Sequence, residues 1–131
     1  MMIFTINYHN GVPIYRQVIQ QIREQVMTGE LSEGEQLDSV RDLAGRLKVN
    51  PMTISKAYML LEQDGLLERR RGIGLFVAKL KKEQRQQTRE ELLEENLQKA
   101  AAIAVQMNIS ETKTVELLKR LYREFSAPPK E

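Results

Sequence analysis

The chain has no cysteine, no tryptophan and a single histidine in 131 residues. Without cysteine there are no disulfides, no thiolate metal ligands and no cysteine nucleophile, a composition that fits a reducing compartment. The one histidine, His9, stands in a polar stretch beside Asn10 and Gly11. One imidazole without clustered carboxylates makes neither a metal site nor a proton relay. Aromatic residues at 5 % point away from an aromatic-rich sandwich and toward a helical core of aliphatic side chains. Long hydrophobic runs are also missing. No segment reaches membrane-spanning length, and the opening MMIFTINYHNG has no basic region and too short an apolar run for a secretory signal. The expectation is a soluble, cytoplasmic chain with no membrane contact, no metal, no cofactor and no enzymatic constellation.

What is present is a local excess of positive charge. Residues 1–38 carry two Lys/Arg against five Asp/Glu, residues 39–82 ten against four, and residues 83–131 eight against nine. The middle third thus holds six surplus cations inside a nearly neutral chain. Such a surplus suits neutralisation of a polyanion, because each Lys or Arg on a phosphate releases condensed counterions.

The pattern of the chain gives that charge a scaffold. After the alternating stretch IFTINY, Pro13 suits a first helical position, and Ile14, Val18, Ile22 and Val26 recur every four residues, predicting an amphipathic helix that ends near Gly29. ELSEGEQLD reads as a loop. Ser39 and Asp42 form a capping box, with Val40, Leu43, Ala44 and Leu47 as the apolar stripe of a short second helix. Asn50 as N-cap and Pro51 as first residue start a third helix only about three residues later. Two helices joined so tightly must cross steeply, which is a helix-turn-helix.

On the third helix Ile54, Ala57, Tyr58 and Leu61 gather on one side and Met52, Ser55, Lys56 and Met59 on the other, flanked by Thr53. Small and polar residues in its first turns suit approach to base edges and phosphates, so Ser55 and Lys56 are candidate nucleic-acid contacts, while capping suffices to explain Asn50 and Pro51. Gly65 closes this helix, and LLERRRGIGLFVAKL reads as a hairpin whose tip crowds Arg69, Arg70 and Arg71 beside Gly72. A basic hairpin directly after a helix-turn-helix is a wing. The GIG within it is no dinucleotide fingerprint, since it lacks the third glycine and is followed by a strand-like run.

PIYRQVIQQIREQVMTGEL, GEQLDSVRDLAGRL and VNPMTISKAYMLLEQDGLLERRRGIGLFV, in that order and spacing, resemble the winged helix-turn-helix domain of the GntR family of bacterial transcription regulators, over about half the chain. VNPMTISKAY and the short C-terminal part are most similar to the YtrA subfamily. The resemblance implies that Arg41 of SVRDLA contacts DNA, that Asn50, Thr53, Ser55 and Lys56 reach base edges and backbone, and that Arg71 and Gly72 at the wing tip enter or border the minor groove. Asp38 stands where many members have Pro, and Pro51 where many have Arg, so a base-reading arginine is absent at that position.

In the C-terminal third, Leu93, Leu97, Ala100, Ala104 and Met107 follow a heptad pattern. NIS breaks it, Ser110 can cap, and Val115, Leu118, Leu121, Tyr122 and Phe125 make a second amphipathic helix before APPKE frays. Two such faces need a partner, and the same pair from a second chain is the expected one. The methionines read as core or interface filler rather than as a redox sensor. The fold class expected is mainly α, an α+β winged helix-turn-helix over residues 1–78 followed by a two-helix dimerisation region over 79–131. The expected function is a homodimeric repressor that binds a palindromic, inverted-repeat operator in double-stranded DNA, with no effector named by the sequence. A winged helix serving only protein interaction is the alternative.

Overall fold

The computed structural model describes residues 2–128. Five helices and one hairpin follow in the order α1 (Ile14–Thr28), α2 (Val40–Leu47), α3 (Pro51–Gln63), β1 (Leu67–Arg70), β2 (Gly74–Val77), α4 (Lys82–Gln106) and α5 (Glu111–Ser126). This is a winged helix-turn-helix followed by C-terminal helices, mostly helical with a two-stranded sheet. The chain forms two compact units that meet between Arg89 and Glu90, inside α4. The first unit therefore runs past the boundary expected at residue 78. Its extension is held by the Ala78 amide on the Leu66 carbonyl, by buried Leu80, and by Arg85, whose guanidinium reaches the Val26 carbonyl at 3.4 Å and Glu33 at 3.1 Å.

The core of this unit comes from the stripes that the periodicity marks. Val18, Ile22 and Val26 of α1, Leu43 and Ala44 of α2, and Ile54, Ala57, Tyr58 and Leu61 of α3 are all buried, together with Leu66, Leu67, Leu75 and Val77 around the hairpin. α1 and α2 both pack on α3, which lies at the centre. Removing apolar area from water stabilises by about 25 cal/mol per Å², so α3's inward stripe is what fixes its outward one.

The alternating stretch before α1 is extended, and its pairing is unusual. Its even residues Met2, Phe4 and Ile6 turn toward the core while Ile3, Thr5 and Asn7 turn outward or sideways. The outward backbone is matched by glutamines on α1. Gln17 accepts from the Asn7 amide at 2.8 Å and donates to its carbonyl at 2.7 Å; Gln21 does the same to Thr5 at 2.9 and 2.7 Å; Gln25 donates to the Ile3 carbonyl at 2.7 Å. The spacing follows from geometry. Four residues of helix advance about 6 Å and two extended residues about 6.6 Å, so every fourth helical side chain meets every second strand residue. The amide side chain offers both a donor and an acceptor, as a neighbouring strand would. Pro13 is the N-cap rather than the first helical residue.

The segment expected as a loop also joins the sheet. Gly34 donates to the Val77 carbonyl, Val77 to Glu35, and Leu37 to Leu75, which covers the edge of β2 that β1 leaves open. β1 and β2 pair antiparallel from Leu67 opposite Val77 to Arg70 opposite Gly74. Gly74 has φ of 143°, a backbone conformation that strains any side chain, and a Cβ there would stand 2.9 Å from the Gln36 side-chain nitrogen, which would have to move.

In the second unit, Asn108 takes a left-handed φ of 57° and ends the α4 region, and Ser110 caps α5 by accepting from the Lys113 amide. α5 buries none of its residues: Leu118 and Leu121 are well exposed, and Tyr122 and Phe125 are 72 % and 88 % exposed. Of the heptad positions Ala104 is buried, whereas Leu93, Leu97, Ala100 and Met107 are exposed. The methionines divide likewise: Met2 is buried, but Met52, Met59 and Met107 are exposed and fill no core within one chain. The fraying expected of APPKE falls mainly on residues 129–131, outside the described ones.

Candidate nucleic-acid interface

The turn between α2 and α3 spans three residues. Ser39 opens α2 by accepting from the Asp42 amide at 3.0 Å. Lys48 then closes it in a left-handed conformation at φ 56°, with the Val49 amide on the Ala44 carbonyl at 3.0 Å. A lysine at positive φ carries a steric cost of about 1–2 kcal/mol that glycine would avoid. Its exposed ammonium lies immediately before the third helix. Asn50 opens α3 through its side-chain oxygen on the Met52 amide at 2.8 Å, and the Thr53 amide bonds the Asn50 backbone carbonyl. Pro51 at the first position has no N–H to leave unsatisfied.

Ahead of that turn, Asp38 is fixed from two sides. Arg46 pairs with its carboxylate, and the Tyr58 hydroxyl donates to its backbone carbonyl at 2.8 Å. Arg46 also reaches the Met2 carbonyl at 2.8 Å, so this cation of α2 ties the N-terminal arm to Asp38, and α3 joins the same residue through Tyr58. Burial, followed by the nearby Asp38 charge, pushes the Tyr58 phenol well above its ordinary range, so it stays a hydrogen-bond donor at any physiological pH. The hydroxyl of Tyr8 donates to the Leu47 carbonyl at the end of α2.

Seven of the eight residues expected at DNA are exposed: Arg41, Asn50, Ser55, Lys56, Arg69, Arg71 and Gly72; Thr53 is half-buried. They differ in what already occupies them. The Asn50 side-chain oxygen is spent on the cap. Arg69 is drawn to Glu62 at the far end of α3, with Nη2 3.2 Å from Oε1, and Arg70 lies 4.1 Å over the Phe76 ring. Arg71 at the tip and Arg41 on α2 make no side-chain hydrogen bond or ion pair among the described residues. The wing is thus braced by two arginines and presents a third.

Lys56 is held in a way the sequence reading missed. Its Nζ stands 4.1 Å over the ring of Tyr15 at the start of α1, and the Tyr15 hydroxyl accepts from Arg16 Nε at 3.3 Å. The Arg16 hydrogen bond, ahead of the Arg16 and Lys56 charges, lowers the Tyr15 phenol below its ordinary value. α1 therefore contributes an aromatic platform and a further cation beside the third helix. The contact joins residues 15 and 56 across the fold, so no local pattern announces it. Among the described residues no group of three or more His, Asp or Glu is placed to hold a metal ion, and no helix is long and apolar enough to cross a membrane.

A tightly joined helix pair whose second member turns one face outward, followed by a basic wing, lies within residues 14–77, and the family model described as bacterial regulatory proteins, gntR family, matches those same residues. The chain belongs to the gntR family. Over 73 residues it is 42 % identical to the HTH-type transcriptional repressor YtrA of Bacillus subtilis (strain 168), covering 56 % of this chain and 56 % of that one. The chain spans little more than half the length of that curated relative. Among solved structures it is similar to a GntR family transcriptional regulator from Listeria monocytogenes, at TM-score 0.73 and 28 % identity, over 86 % of this chain and 98 % of that one. It is also similar to the AraR(DBD) in complex with operator ORX1, at TM-score 0.50 and 27 % identity, over 59 % of this chain and 93 % of that one.

Proposed function

We propose that this gntR-family chain is a sequence-specific transcriptional regulator, a homodimeric repressor that sets α3 of each protomer into the major groove of an inverted-repeat operator and lays the wing along the flanking backbone or minor groove. The observation that carries the reading is the division of α3 itself. Its inward stripe is buried without exception, while its outward stripe of Met52, Ser55, Lys56 and Met59 is exposed and flanked by the uncommitted cations Arg41, Lys48 and Arg71. A helix that is merely solvated would carry Glu and Lys pairs at four-residue spacing on that face. The roles of Arg41, Asn50, Thr53, Ser55, Lys56, Arg69, Arg71 and Gly72 follow as parts of this proposal, with Asn50 a cap first and a contact second.

The dimer is supported by α5, whose large apolar side chains Leu118, Leu121, Tyr122 and Phe125 are left uncovered in one chain. A two-fold pair covers the same face on both copies, and it supplies two recognition helices for two half-sites. Leu93, Leu97, Ala100 and Met107, exposed in one chain, complete the proposed interface, whereas Ala104, expected there too, is already buried within the chain. The site works in the cytoplasm, where the operator is, and without catalysis. The helical region offers no assigned effector.

Fluorescence anisotropy on duplexes from a random-sequence selection, against scrambled controls near physiological salt, tests the reading. Preference for one inverted repeat by about a thousandfold supports it, since specific and non-specific affinities differ by 10³–10⁷. Equal, weak binding to every duplex refutes it and returns the interaction-module reading, for which Lys56→Ala with Arg71→Ala leaves partner binding intact.

A further inference from the structure

We infer that the recognition helix reads its half-site through apolar contact from Met52 with a thymine methyl group, so that a T·A pair faces the first turn of α3. This rests on the regulator reading above.

The argument starts from which side chains on that turn are still available. Asn50 has its side-chain oxygen on the Met52 amide at 2.8 Å, and two-point recognition of adenine needs that oxygen together with the NH₂ group. Pro51 carries no polar group. Thr53 is half-buried, and Lys56 is drawn back over the Tyr15 ring. The most prominent side chain left on the first turn is Met52, which is 76 % exposed. It begins an outward stripe that continues through Ser55 to Met59, 47 % exposed. The N-terminal residues of a recognition helix are the ones that meet base edges. In the major groove, only thymine among the four bases presents a methyl group.

The chemistry of the residue suits that role. A thioether chain is unbranched and polarizable, and it adapts to an apolar surface whose position is set by DNA. An arginine at this turn would read guanine by two hydrogen bonds, but neither position 51 nor 52 holds one. Burial of one methyl group on binding corresponds to about a fourfold change in affinity.

The test uses the full chain and a duplex selected by it from a random-sequence pool. Each thymine of the half-site is replaced in turn by deoxyuridine, which removes the methyl and leaves every hydrogen-bonding group in place. Wild type is expected to lose about fourfold at one thymine per half-site. Met52→Ala is expected to bind the parent duplex more weakly and to be indifferent to uracil at that same position, whereas Met52→Leu stays sensitive. Met52 is exposed, so unchanged melting temperatures of both variants exclude a folding defect. Wild-type binding that no uracil substitution alters, a Met52→Ala variant that remains sensitive, or selected half-sites without thymine would each overturn the inference while leaving a specific regulator in place. Equal binding to all duplexes would overturn the regulator reading and this inference together.

Discussion

The wing makes a prediction that separates three neighbouring arginines by what each already touches. Arg69 is paired with Glu62, Arg70 covers the Phe76 ring at 4.1 Å, and Arg71 stands uncommitted at the tip. On the proposed dimer, Arg71→Ala is expected to lose two phosphate contacts, one per half-site. Each neutralised phosphate contributes about −0.9 to the slope of log K against log salt, so the slope becomes shallower by about 1.8. Between 50 and 200 mM salt that amounts to about 3.5-fold per phosphate and roughly twelvefold for the pair, so the variant's deficit is that much larger at low salt. Arg69→Ala changes the slope less, since part of its charge is already met by a carboxylate within the protein. Glu62→Gln releases Arg69 and steepens the slope. Anisotropy titrations on one operator duplex at four or more salt concentrations measure all three. If Arg71→Ala leaves the slope unaltered, or Arg69→Ala changes it as much as Arg71→Ala does, the assignment of the wing tip to phosphate is wrong.

Other parts of the molecule give sharp expectations. Gln21→Ala removes both bonds to Thr5 and costs about 1–2 kcal/mol, at about 1 kcal/mol net per hydrogen bond and somewhat less where water competes; hydrogen exchange at the Thr5 amide accelerates in parallel. Gln21→Glu keeps the acceptor for the Thr5 amide and loses the donor to its carbonyl, so it is expected to lower stability while protecting that amide better than Gln21→Ala does; no loss of stability in Gln21→Glu would refute the two-way pairing. Tyr58→Phe loses the bond to the Asp38 carbonyl and about 1 kcal/mol at neutral pH. Because the folded phenol is held above its unfolded value of about 10, wild-type stability falls as pH rises past that value, and the variant's falls less. Leu121→Asp on α5 is expected to shift sedimentation equilibrium toward the monomer while leaving the melting of the winged unit unchanged; a persistent dimer would place the interface elsewhere.

Much of this protein is decided by short-range pattern. The four-residue recurrence from Ile14 to Val26, the caps at Ser39, Asn50 and Ser110, and the glycines that flank the wing determine where the helices and hairpin form, because each rule acts within a turn or two of the chain. The tight junction of α2 and α3 follows as well, from caps at Ser39 and Asn50 that leave only three residues between the helices, and with it the inward and outward faces of α3.

Tertiary structure decided what distance along the chain conceals. The glutamines of α1 look like the polar side of an amphipathic helix until the extended arm is laid beside them, where a 6 Å rise on one element meets a 6.6 Å rise on the other. The segment before Ser39 carries loop residues yet closes the edge of β2, since its pairing partners lie some forty residues away. Tyr15 beneath Lys56, Glu62 against Arg69 and Phe76 beneath Arg70 decide which cations are free; the first pair is distant in sequence, and the other two form only where the hairpin folds back on itself and on the end of α3. Sequence fixes the sign and place of the charges; only the fold determines which of them remain unpaired at the surface, because that depends on neighbours brought together by burial of the core.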